Sequence, residues 1–215
     1  MNRKKFIIKG ISCVPIAAAL VSFARIQPEF LKNKIHHQSN PEDTPEFNDA
    51  RSKKVIFVAH CVLNQNARLD QYACTPSAIG PVVQELLKRG IGIIQLPCPE
   101  TQLLGLGRTS DDNIYQQLSE PAARKELKEY ANQVLNLVAE YRKWDFKVLG
   151  ILGNDGSPCC GVNLHYNEGQ KPGPGAFFQE IKSSLESCVL PVQILGIEDV
   201  KTEEAIKIID QWDKD

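Results

Sequence analysis

The stretch IGIIQLPC, Ile91 to Cys98, is a short and nearly unbroken apolar run closed by a proline and a cysteine. It predicts a parallel strand covered on both faces, because a strand with one face in water would alternate apolar and polar residues. Upstream, VIFVA at Val55–Ala59 has the same character and is followed by His60 and Cys61. Downstream, Phe146–Leu152 (FKVLGIL) leads through the Gly- and Pro-containing turn NDGSP to Cys159 and Cys160, and Val192–Ile197 makes a fourth run.

Helical patterns fill the intervals. Pro76 and Ser77 are expected to open a helix that runs to about Lys88, with Ile79, Val82, Val83, Leu86 and Leu87 at helical spacing. A longer helix is expected from Ser119 or Glu120 to Lys143, because Pro121 suits a first turn and Leu127, Tyr130, Ala131, Val134, Leu137, Val138 and Tyr141 share a face. Ala176–Ser187 and Thr202–Trp212 are the remaining helices, and a long loop is expected up to Pro174. Alternating strands and helices imply right-handed crossovers. The expected fold is α/β, a three-layer sandwich with a short, mainly parallel sheet of about four or five strands. Its carboxyl edge would gather the cysteines that follow the first three strands, where open α/β sheets place their ligand sites.

The chain has 215 residues, 42% of them hydrophobic, enough for one domain with its own core. With 25 basic and 26 acidic residues evenly spread, it lacks the electrostatic footprint of a nucleic-acid binder. No G-x-G-x-x-G follows the first strand, which argues against a dinucleotide site. The ends differ in kind. Met1–Lys9 is basic and Gly10–Ala24 is apolar, so residues 1–24 read as an export signal or membrane anchor, shorter than the ~20 apolar residues of a comfortable span. Arg3-Lys4-Lys5-Phe6-Ile7 resembles a twin-arginine signal of a bacterial export machinery, with lysine replacing the second arginine. Residues 25–53 read as a polar tether carrying His36 and His37, and residues 54–215 as the α/β domain. An extracytoplasmic location is expected, with the cytoplasm as the alternative.

Seven cysteines carry the functional question. Cys13, Cys74 and Cys188 read as small apolar fillers. Export would permit disulfides, but a domain with this much core does not need them, and a Cys-x-x-Cys redox pair is missing. Zinc would need a fourth ligand, which His60 or His165 could supply. Three soft thiolates also suit an iron-sulfur cluster with one iron left free of protein ligands.

The three cysteine motifs are Cys61-Val62-Leu63-Asn64 with Arg68, Pro97-Cys98-Pro99-Glu100, and Ser157-Pro158-Cys159-Cys160-Gly161. Together they resemble the thiouracil desulfurase family and its related desulfidases. The resemblance spans roughly residues 54–162. It implies a 4Fe-4S cluster on Cys61, Cys98 and Cys160, with Cys159, where that family more often has serine, as a neighbour or substitute. It also implies an enzyme that removes sulfur from a small thiocarbonyl compound, such as a thiolated base or thioamide, without a net redox step. The first motif departs from the family's more usual S-x-C-L-L-G, and the N-terminal extension is a further departure. The alternative expectation is a non-catalytic iron-sulfur or zinc-binding redox sensor or sulfur carrier.

Other residues near the same edge suit a small polar substrate. Glu100 and Asp155 are candidate proton carriers, with Ser157 beside them as a hydrogen-bonding catalytic group. Arg68 and Arg108 could clamp a carboxylate or polarised carbonyl, and Asn64 completes the candidate substrate-binding set. Asn154 and Gly156 share the approach to the last cysteines, and a plain turn is their structural alternative.

Overall fold

The computed structural model describes residues 47–188 and 190–214. The leader-like segment 1–24 and the tether as far as residue 46, with Cys13, His36 and His37, lie outside the described residues.

The chain runs β1 (Lys54–Val58), α1 (His60–Leu63), α2 (Gly80–Lys88), β2 (Gly92–Gln95), α3 (Ile114–Ser119), α4 (Pro121–Lys143) and β3 (Lys147–Asn154). It continues through β4 (Leu164–Tyr166), β5 (Gln170–Pro172), α5 (Ala176–Ser187), β6 (Ile194–Ile197) and α6 (Thr202–Lys214). Four strands form one parallel sheet in the order β2-β1-β3-β6, and β4 and β5 pair as a separate antiparallel hairpin. The fold is therefore α/β with a short parallel sheet between helical layers. Helices α2 and α6 touch each other, while α3, α4 and α5 pack among themselves.

Two glycines on β3 show how closely the layers approach. Residues three apart on a strand face opposite ways. A Cβ on Gly150 would lie 2.5 Å from the Trp212 ring of α6, and one on Gly153 would lie 2.9 Å from Phe178 of α5. Each helical layer thus reaches β3 where a side chain is missing.

The order places β1 and β3 at the centre. Val55–Val58 of β1 and Leu149–Asn154 of β3 are buried throughout. The run that best signalled a doubly covered strand, IGIIQL, becomes the edge strand β2, with Gly92 and Gln95 exposed and Ile93 and Ile94 partly buried. Composition reported strand type correctly but not the position in the sheet. The chain leaves β1 through α2 to reach β2 on one side, then crosses through α4 to β3 on the other. That reversal opens a crevice at the carboxyl ends of β1 and β3.

Helix α2 begins at Gly80 rather than at Pro76 or Ser77. Residues 75–79 are pinned to the segment after β1, with Gln65 N–H donating to Ser77 O at 2.6 Å and Ile79 N–H to Val62 O at 2.8 Å. Those bonds hold the backbone away from helical geometry. Leu87 and Leu137, expected on buried faces, are 64% and 40% exposed, and Leu135 is buried on α4 instead.

Candidate functional site

Each central thiol sits on a different loop leaving the sheet. Cys61 lies in the first turn of α1, two residues beyond Ala59, the N-cap residue of that helix, whose N–H donates to Leu152 O at 2.9 Å. Cys98 follows β2 and opens a π-helical turn, Glu100–Leu104, in which its carbonyl accepts Gln102 N–H at 3.0 Å. Single π turns of this kind are frequent at functional sites. Cys160 ends a turn that doubles back on β3, so that its carbonyl accepts Asn154 N–H at 2.8 Å. All three thiols are free and line one cavity of about 510 Å³ at the carboxyl edge of the sheet.

The neighbouring cysteines are placed differently. Cys159 is fully buried in the core and does not line the cavity, while Cys74 and Cys188 are exposed and lie outside its lining. Of these adjacent cysteines only Cys160 reaches the cavity lining, although the two thiols remain hydrogen-bonded to each other.

A buried hydrogen-bond network ties the three loops together. Arg108 donates from Nε to Glu100 Oε2 at 3.0 Å, from Nη1 to Gly105 O at 3.0 Å and from Nη2 to Ala67 O at 2.8 Å. Glu100 Oε1 accepts the Ser157 hydroxyl at 3.2 Å, and Ser157 Oγ accepts the N–H groups of Cys159 at 3.2 Å and Cys160 at 2.9 Å. Every link is a charge-assisted bond or a hydroxyl capping the turn at Pro158–Cys160, so the loops hold their spacing before any ligand arrives. Arg108 lines the cavity but spends its guanidinium inward.

Asp155 also lines the cavity and is heavily engaged. Its Oδ1 accepts Val162 N–H at 2.7 Å and Asn163 N–H at 2.8 Å, and its Oδ2 accepts the Asn163 side-chain amide at 2.9 Å. Asn64 caps the 3-10 turn Gln65–Ala67 by accepting Asn66 N–H at 3.1 Å and is not among the cavity residues. His60 reaches the cavity wall beside Cys61. His165 does not, because it bonds Gly173 O at 3.1 Å and stacks on Tyr115 with ring centroids 4.4 Å apart.

Arg68 forms an ion pair with Asp199 at 2.8 Å and lies against Cys61. Burial alone would lower its pKa, but Cys61 and Asp199 outweigh that and raise it. Burial, then the neighbouring Cys160, pushes the Cys61 thiol up, with Arg68 opposing. Cys160 is also held well above the ordinary thiol range by its hydrogen bond with Cys159, by burial and by Cys98. Without a cation these thiols hold their protons; a positively charged metal core would reverse that balance. Cys98 Sγ has a neutral partner, the Thr101 hydroxyl at 3.2 Å.

Among the described residues no three His, Cys, Asp or Glu side chains converge as the ligands of a metal ion. The donor set around the cavity is soft and open: three sulfurs on separate loops, with Arg68, whose Nη1 is buried and unpaired, in the same lining. That chemistry is compatible with a polynuclear iron-sulfur core, which spans more space than a single ion.

Sequence reasoning did not single out Asp199, the partner of Arg68, or the hairpin residues Tyr166, Asn167 and Gln170, which form a wall of the cavity. Asp199 follows β6, the strand without a cysteine, so no motif pointed to it.

Fold and cavity define a doubly wound α/β domain with a thiol-lined pocket at its topological switch point. The chain is 30% identical over 112 residues to an uncharacterized protein of Methanocaldococcus jannaschii, an alignment covering 52% of this chain and 70% of that protein. It belongs to the same family as that archaeal protein. No protein-family profile and no solved structure matches it.

Proposed function

We propose that the domain is a desulfidase: it replaces the sulfur of a small thiocarbonyl compound with oxygen from water, using a 4Fe-4S cluster on Cys61, Cys98 and Cys160. The observation that carries this reading is the convergence of three free thiols, from the segments that follow three separate strands, on one cavity. When bound, such a cluster supplies a Lewis-acidic iron and an acceptor for sulfur. The net change, thiocarbonyl plus water giving carbonyl plus hydrogen sulfide, is redox-neutral.

The chain's own groups divide the remaining work. Arg108 fixes Glu100 through Oε2, leaving Oε1 with the Ser157 hydroxyl as its partner. Glu100 Oε1 therefore takes the proton of the incoming water, with Ser157 orienting it. Asp155, saturated by N–H donors, shapes the loop that carries Ser157 and Cys160. Arg68 and His60 complete the wall around Cys61.

Iron and acid-labile sulfide analysis of anaerobically purified protein, beside Cys61→Ala, Cys98→Ala and Cys160→Ala, tests the ligand assignment. Wild type should be brown and carry iron and sulfide, each variant should lose most of both, and Cys159→Ala should keep them. Sulfide release from thiolated pyrimidines and thioamides then tests the activity. Bound zinc with no iron would refute the proposal.

A non-catalytic sensor or carrier is the second reading, favoured by the extent to which the polar groups of the cavity are already bonded to one another. Cluster-loaded protein that binds sulfide but releases none from thiocarbonyl compounds would decide for it. Export or membrane anchoring through residues 1–24 is a separate proposal, motivated by their basic and apolar pattern. Cell fractionation finding the intact chain in the soluble cytosolic fraction would overturn it.

A further inference from the structure

Arg68 poses a problem that the desulfidase reading leaves open. Its side chain is 17% exposed, and Nη2 is 2.8 Å from Asp199 Oδ2. Its Nη1 is buried and has no hydrogen-bond partner among the described residues. A guanidinium nitrogen left in that state is costly, and native interiors rarely tolerate it. Because Nη1 is closed off from solvent, a small molecule in the cavity cannot meet it without displacing the side chain. The guanidinium as a whole lies against Cys61, and both residues line the same cavity.

A neutral thiol is a weak acceptor, whereas a thiolate is a strong one for a charged N–H donor. The buried nitrogen is thus matched to Cys61 in its ligand form. Asp199 explains why the guanidinium stays there. Its Oδ2 grips Nη2, and its Oδ1 accepts Asn154 Nδ2 at 2.6 Å, tying Arg68 to the end of β3. In this way β6, which contributes no thiol, sends a carboxylate to support one.

We infer that Arg68 Nη1 donates a charge-assisted hydrogen bond to the Cys61 sulfur when that sulfur ligates the cluster, and that Asp199 is the positioning residue that holds it there. The inference rests on the cluster reading above. Hydrogen bonds and positive charge at a ligating sulfur stabilise the reduced, more negative state, so Arg68 raises the cluster's reduction potential. It is a tuning residue and not a substrate clamp.

The test uses full-length protein reconstituted anaerobically with iron and sulfide: wild type, Arg68→Gln, Arg68→Lys, Asp199→Asn and the Arg68→Gln, Asp199→Asn double variant. Midpoint potential and visible spectrum are compared at equal iron content. Arg68→Gln should shift the potential to more negative values and move the sulfur-to-iron absorption bands. Arg68→Lys should recover part of the shift, because it keeps the charge but not the fork. Asp199→Asn removes a negative charge as well as the anchor, so its readout is the cycle: the shift caused by Arg68→Gln should shrink when it is made in the Asp199→Asn background. A potential and spectrum identical to wild type in Arg68→Gln, or a shift undiminished in the Asp199→Asn background, would overturn the inference while leaving the cluster reading intact. A merely structural role would lower iron uptake or melting temperature in the variants without moving the potential of the loaded fraction, and that result would also overturn it. Failure of wild type to take up iron would sink the cluster reading itself, and this inference with it.

Discussion

Arg108 and Glu100 meet inside the protein, the guanidinium reaching Oε2 through Nε at 3.0 Å and Nη2 at 2.9 Å, with the arginine side chain 3% exposed. Because Nη2 also donates to Ala67 O, this pair joins the loop after Cys61 to the loop after Cys98. Removing one partner strands a buried charge at a cost of about 3–5 kcal/mol, while replacing both is far milder. Urea denaturation of iron-free Arg108→Ala should show that loss, and Glu100→Gln combined with Arg108→Met should recover much of it. A single-variant loss below about 1 kcal/mol would show that the pair does not hold the loops.

Gly150→Ala should destabilise the domain through the opposite fault, too much volume. The added methyl would meet the Trp212 ring at 2.5 Å and Gln193 O at 2.8 Å. Overpacking of this kind costs about 1–3 kcal/mol, a fall of several degrees in melting temperature. Gly107→Ala, where a Cβ meets nothing within 4 Å, should melt close to wild type.

Asp155→Ala should loosen the segment that carries the last thiol. It deletes the acceptor for Val162 and Asn163 N–H, at about 1.5–3 kcal/mol for bonds to a charged group. Limited proteolysis should cut this variant within residues 156–172 faster than wild type, with Asp155→Asn between the two.

Thiol reactivity in iron-free protein should separate the cysteines. Nucleophilic attack needs the thiolate, and a raised pKa shrinks that fraction at any pH below it. Cys61 and Cys160, both pushed up, should react with iodoacetamide at pH 8 at least about tenfold more slowly than exposed Cys74 and Cys188. Equal rates, read by peptide mass spectrometry, would refute the burial of the two cavity thiols.

The sequence was most informative where apolar pattern and chemistry coincided. Val55–Val58 and Lys147–Asn154 are strands because their apolar runs leave no polar face, and their ends, with that of β2, bring Cys61, Cys160 and Cys98 to one edge. Short elements were illegible. Helix α3 offers only Ile114 and Leu118 as buried positions, too few to establish a period, and β5, Gln170–Pro172, is wholly exposed. Residue type could not tell Cys159 from Cys160; only the family resemblance favoured Cys160, because which of them lines the cavity depends on a turn held by Ser157 Oγ. Asp199 escaped notice because its partner stands far away along the chain.

The hairpin of β4 and β5 lends Tyr166, Asn167, Glu168 and Gln170 to the cavity lining, with three-residue strands and mostly exposed side chains. The chamber accordingly has one stiff wall and one yielding wall. Amide exchange should be slowest along β1 and β3 and fastest at Asn167–Gly169, because opening a short solvent-facing ribbon sacrifices little buried surface. A guest can then be admitted by bending the ribbon outward while the sulfur-bearing side stays in register.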